Sequence, residues 1–239
     1  MDMKWDVIFQ PANLALYGQG VVTTLNLLFA SLAIGAILAL AFALALTSRW
    51  RVLRAVVGAY TYVVRGTPLL IQVYLIYYGL GQLEWIQARW DEVWPWTYFK
   101  EPFFCALLAF SLNTAGYTAE MLAGAIRETS AGEIEAAQAY GMGPLAILWR
   151  IVLPSAMRRT LPAYSNEVVM MLQSTSLASA VPSMLDVTSA ASRVYSKFYL
   201  PFEAFLFAAG IYLLATFALV GIFRLAERHF LAYLAPQKA

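Results

Sequence analysis

Cysteine, histidine and charged residues are all scarce in this chain of 239 residues. The single cysteine, Cys105, excludes an internal disulfide, and the single histidine, His229, lies near the C-terminus. No His, Cys or carboxylate cluster stands at metal-ligand spacing, so no metal site is expected. Charged residues make up 13% of the chain, against roughly 25% in soluble domains, which argues against a freely soluble fold. A net charge of +2 lacks the polybasic character of a nucleic-acid binder. No Gly-x-x-x-x-Gly-Lys phosphate loop occurs, so the chain does not hold ATP by that device, and no cofactor is expected in it. Tandem repeats and low-complexity tracts are absent. The start, Met1-Asp2-Met3-Lys4-Trp5-Asp6, has no basic region before an apolar run, and no cleaved signal peptide is expected.

Hydrophobic residues supply 61% of the chain and fall in long runs. A bilayer-crossing helix needs about 20 mostly apolar residues, and the runs predict an all-α integral membrane protein with about five spans. They fall at about 21–46, 69–83, 103–126, 161–181 and 202–223, in a single domain covering 1–239. Val52 to Val64 is apolar but short, bracketed by Arg54 and Arg65, and is expected at the inner interface or packed under the bundle. Arg65-Gly66-Thr67-Pro68 then opens the second span: Thr67 can cap, Pro68 suits the first helical position, and Arg65 suits the lipid headgroups. Glu84 to Pro102 forms an outer segment carrying Trp85, Trp90, Trp94, Trp96 and Tyr98 among Asp91, Glu92, Lys100 and Glu101. Such a mixture makes an interfacial belt, or else a helix that touches a solute-delivering protein. Pro182 to Pro201, with Asp186, Arg193 and Lys197, is a second outer segment.

The cations divide unevenly between the two sides. Arg49, Arg51, Arg54, Arg65, Arg127, Arg150, Arg158, Arg159, Arg224, Arg228 and Lys238 share one side, and Lys4, Arg89, Lys100, Arg193 and Lys197 the other. The richer side is the cytoplasmic one, which puts the N-terminus outside and the C-terminus inside.

Polar residues within a span face protein or a wet cavity. The third span carries Asn113, Thr114, Tyr117, Thr118 and Glu120, and Glu120 suits a structural hydrogen bond or pair. The fourth is the most polar. On a 3.6-residue helix Asn166, Glu167, Met170, Gln173 and Ser174 form one stripe. Glu167 is the leading candidate for contact with a cargo, the alternative being a carboxylate held by a neighbouring helix.

Between the third and fourth spans, at about 127–157, lies a polar interval on the cationic side. Glu133 and Glu135 suit the first turn of a short helix, Ala136 and Ala137 favour helix and allow close approach, and Gly141 can supply a left-handed end. Glu135-Ala136-Ala137, then Gly141, then Ile151, Leu153 and Pro154, resembles the cytoplasmic loop of ABC importer permeases. Gly20 to Leu25, Arg65 to Pro68, Asn113 to Glu120, Gly124 to Arg127, Gly132 to Ala137 and Leu161 to Val168 are similar to polar amino-acid permeases of that kind. The likeness is closest to the second permease subunit of histidine and of arginine/ornithine systems.

The resemblance implies a type I ABC importer transmembrane domain in the bacterial inner membrane, a transport subunit rather than an enzyme. It implies a pair of ATPase subunits that bind ATP and Mg, a second and homologous permease subunit, and a periplasmic solute-binding protein. The loop around Glu133, Glu135, Ala136, Ala137, Gly141, Leu153 and Pro154 would be the coupling element to the ATPase, and Arg65, Gly66, Thr67 and Pro68 the family motif at the second span. A basic amino acid (arginine, ornithine, lysine or histidine) is the expected cargo, because Glu167 can offset the desolvation of a cation. Another polar amino acid such as glutamine, an ion-coupled secondary transporter, and a membrane scaffold without cargo are the alternatives.

Overall fold

The computed structural model describes residues 4–80, 83–89 and 96–231. Trp90, Asp91, Glu92 and Trp94 of the outer segment, and Lys238 of the inner cations, lie outside the described residues. Among these residues the regular structure is helical: α1 (Trp5–Ile8), α2 (Pro11–Thr47), α3 (Arg51–Gly66), α4 (Leu69–Tyr74), α5 (Glu84–Gln87), α6 (Pro102–Arg127), α7 (Ala131–Ala139), α8 (Pro144–Ile147), α9 (Leu153–Ser174), α10 (Val187–Phe198) and α11 (Pro201–Phe230). α4 runs on through a π turn, Leu75–Gly79.

α2 and α11 are each long and apolar enough to cross a bilayer unaided. With 37 residues, α2 is about 55 Å long, more than a hydrocarbon core of about 30 Å requires. It therefore starts well before Val21, and its first turns pack outside, where Gly20 lets Asp186 O come so close that a Cβ would stand 2.9 Å from it. Asp186, placed among the charges of the outer segment, is buried: it caps α10, accepting from Thr188 N at 2.9 Å and Ser189 N at 3.1 Å. Ile8 and Tyr17 close the outer core against Val187, Ala190 and Ala204, and Tyr17 Oη donates to Ala204 O at 2.9 Å.

α6 is the axis of the bundle. It lies along α2, against which Gly35 sits on Thr114, and packs on α9, α3 and α4. Leu27, Leu28, Phe110, Val168 and Leu172 fill the core between α2, α6 and α9. Its polar residues keep α6 from standing alone as an apolar span; they are tolerated because they face other helices. Glu120 accepts a hydrogen bond from Thr61 Oγ1 of α3 at 2.7 Å.

Two elements depart from their sequence-based bounds. Leu69–Gly79 spans about 16 Å, half a bilayer, so it is not a complete second span. α3, which precedes it, packs on α6 and α2. Its Thr61 reaches Glu120 and its Tyr60 donates to Leu112 O at 2.6 Å, while a Cβ on Gly116 would stand 3.2 Å from Val64 Cγ1. α3 and α4 thus run antiparallel to α6, and Arg65 to Pro68 lie level with its middle. The fourth run likewise extends toward its N-terminus: α8, a π turn at Leu148–Val152 and α9 form one unbroken helix, which a 3-10 segment, Thr175–Ala180, ends.

Candidate functional site

Pro68 has no N–H and holds Thr67 extended (φ −120°, ψ 142°), so α3 cannot continue directly into α4. In a membrane interior the carbonyls freed by such a break must find other donors. Gln72, in the first turns of α4, provides them. Its Nε2 donates to Val64 O at 2.7 Å, Thr67 O at 3.0 Å and Thr67 Oγ1 at 2.9 Å. Thr67 Oγ1 donates to Val63 O at 2.9 Å, and Tyr117 Oη to Arg65 O at 3.3 Å. Asn113 Nδ2 then fixes the Gln72 amide by donating to its Oε1 at 3.1 Å.

Beside the break lies a cavity of about 170 Å³, walled by Thr67, Pro68 and Leu69, by Asn113 and Tyr117 of α6, and by Glu167, Met170, Met171 and Ser174 of α9. Glu167 is half-buried. The Arg65 guanidinium, at the break, stands 5.5 Å from the centre of the Tyr117 ring. The Thr114 hydroxyl of α6 is buried and makes no hydrogen bond. The Glu167 carboxylate, the hydroxyls of Thr67, Tyr117 and Ser174 and the Asn113 amide thus line one small space at mid-bundle. A larger cavity of about 310 Å³ between α2, α6 and α9 is walled by Ala36, Leu40, Met121, Leu122 and Met157 among others, and offers little to a polar ligand.

The polar stripe on α9 is therefore divided. Glu167, Met170 and Ser174 line the cavity, whereas Asn166 and Gln173 lie on the exposed flank of the helix. Asn113 and Gln72 complete the site, and Gln72 is the residue that sequence reasoning missed. Its signal was present: it is the one amide in the apolar run Leu69–Gly79.

The inner segment folds as a small unit of its own. Glu133 lies in the first turn of α7 and Glu135 just past it. Gly141 is left-handed (φ 78°), and Met142 N bonds Ala137 O at 3.1 Å while Gly141 N bonds Gln138 O at 2.9 Å, the paired bonds of a Schellman end. Ala136 is exposed, but Ala137 points inward, onto Ile147 and Val152. The open surface instead carries Tyr140, Leu145 and Trp149, which are 89%, 71% and 56% exposed. Leu153 and Pro154 lie within the continuous helix rather than in a loop, with Leu153 N bonding Leu148 O across the π turn.

Residues 22–231 match the family described as binding-protein-dependent transport system inner membrane component. The chain is 45% identical over 207 residues to the nopaline transport system permease protein of Agrobacterium fabrum, covering 87% of this chain and 84% of that one. It is 42% identical over 220 residues to the histidine/lysine/arginine/ornithine transport system permease protein of Salmonella typhimurium, covering 91% of each. Among solved structures, a chain of an amino acid ABC transporter crystallised with histidines superposes with a TM-score of 0.78 at 29% identity, over 96% of this chain and 99% of that one.

Proposed function

The chain belongs to this family of inner-membrane components as a permease subunit of an amino-acid ABC importer, and we propose from that premise that its cargo is a basic amino acid or an opine. The observation that carries the reading is the cavity beside the broken α3–α4 helix, with Glu167 in its wall. A cationic side chain entering a space of low dielectric loses its hydration, and a charge-assisted hydrogen bond to Glu167 offsets that loss. The C-terminal end of α3 points its negative dipole at the same place, which also favours a cation. Arg65 is the complementary group for a cargo carboxylate, and Thr67, Asn113 and Ser174 supply neutral hydrogen bonds. The named substrates of the Agrobacterium and Salmonella relatives support this class of cargo.

The remaining surfaces suit the partners such an importer needs. Asn166 and Gln173 are polar and exposed at membrane depth, where lipid would not satisfy them, and a second permease subunit would cover them and close the cavity. Tyr140, Leu145 and Trp149, presented by the α7–α8 unit, form the surface for a separate ATPase pair that binds ATP and Mg. A solute-binding protein would deliver cargo on the opposite face. Closure of the ATPase pair then displaces α7, and the inner ends of α6 and α9 shift between discrete packings that expose the cavity to one side at a time.

The test is labelled-arginine uptake and ATP hydrolysis in proteoliposomes holding the complete complex, wild type against Glu167→Gln. Uptake should fall about tenfold, the factor that roughly 1.4 kcal/mol represents, while hydrolysis still responds to loaded binding protein. If neither changes, the carboxylate is structural and the cationic cargo is wrong.

A further inference from the structure

The segment from α6 to α9 leaves the bundle and returns to it, and one side chain holds both points. Arg159, in the second turn of α9, donates from Nη2 to Ala125 O in the last turn of α6 at 2.7 Å and to Thr129 Oγ1 at 2.9 Å. Its Nη1 donates to Ser155 Oγ on its own helix at 2.6 Å. Thr129, in the turn that leads to α7, is buried, and Arg159 Nε is buried without a partner. Ala125 O is one of the four carbonyls that a helix end leaves unpaired, and a cation there is favoured by the helix dipole. The same device recurs one helix over: Arg127 Nη2 donates to Leu46 O, in the last turn of α2, at 3.1 Å. α9 thus holds α6, and α6 holds α2, each by an arginine on a helix C-terminus. Ile126 adds the apolar part of the joint by packing on Ala137, Ile147 and Val152 of the α7–α8 unit.

We propose that Arg159 is the positioning residue of the transmission: it fastens the exit of α6 to the entry of α9, so that a displacement of α7 moves both helix ends as one body. This rests on the reading of α7 as the ATPase-docking element. Neither acceptor outside α9 is a carboxylate, so the residue is not a surface ion pair, and its three bonds need the planar fork of a guanidinium. A lysine has a single ammonium and cannot reach all three acceptors with the same geometry.

The experiment uses the complete complex in proteoliposomes, as wild type, Arg159→Ala, Arg159→Lys and Thr129→Val. Two quantities are read: arginine taken up per ATP hydrolysed, and the distance distribution between spin labels at the exposed positions Glu128 and Met157 in a Cys105→Ser background. Arg159→Ala should lower uptake per ATP about fivefold and broaden the label distance; Thr129→Val should do the same by about twofold, with Arg159→Lys in between. Uptake per ATP equal to wild type in Arg159→Ala, or an unchanged label distance, overturns the proposal. If Arg159→Ala does not assemble, Thr129→Val decides alone, and a wild-type ratio there overturns it. Wild-type hydrolysis that ignores loaded binding protein would instead sink the importer reading, and the label distance would then judge the clamp by itself.

Discussion

Pro68 and Pro154 both fall where a helix loses a backbone donor, and the chain treats them in opposite ways. At Pro68 the helix breaks: Thr67 is extended and the free carbonyls are taken up by the Gln72 amide. At Pro154 the helix continues, because the π turn at Leu148–Val152 widens the coil just before the ring and the missing donor. The first interruption stands at mid-bundle, next to a cavity with Glu167 in its wall. The second stands between the exposed α7–α8 unit and the core, in one unbroken helix. Proline alone therefore sets neither outcome; the neighbouring donors do. Where a side chain can replace the backbone ladder, the helix opens and leaves polar groups in the wall of a cavity.

Removing the replacement donor should have the largest effect. Gln72→Leu leaves the carbonyls of Val64 and Thr67 unpaired, and should destabilise the subunit by about 2 kcal/mol, read as a lowered unfolding temperature of the detergent-solubilised complex. A variant as stable as wild type would mean that the break does not depend on this amide. Pro68→Ala releases the restriction on Thr67 and lets α3 and α4 move toward one helix. Arginine uptake should drop about threefold, roughly 0.6 kcal/mol, as the cavity loses a wall. Pro154→Ala should be nearly silent, within about 0.5 kcal/mol in stability and without change in uptake, since the π turn already accommodates the ring. A large loss there would show that the ring itself shapes the rod.

Much of the architecture was legible in the residue pattern. The runs that became α2 and α11 needed only apolar length, and the 3.6-residue stripe brought Glu167, Met170 and Ser174 to one face because helical periodicity is local. The Schellman end at Gly141 was likewise local, since a glycine is the residue that takes φ of 78° without strain. The depth of Arg65 to Pro68 was not legible. A cation beside a short apolar run has the same pattern at a headgroup as at a helix break, and it is contacts with α6, such as Thr61 with Glu120 and Gln72 with Asn113, that distinguish the two. Ala137 misled for a related reason: a small residue suits an interface with a partner and a small internal core equally, and here Ile147 and Val152 claim it.

By itself the sequence determined that this is a helical membrane protein with a polar face on α9 and a short helix ended by Gly141, because composition and periodicity act over a few turns. The tertiary structure alone decided which polar residues share a cavity, that α3 and α4 meet at a break bridged by Gln72, and that Arg159 joins Ala125 and Thr129. Those are meetings between residues far apart in the chain, fixed by which carbonyl lies within reach of which side chain once the helices have packed.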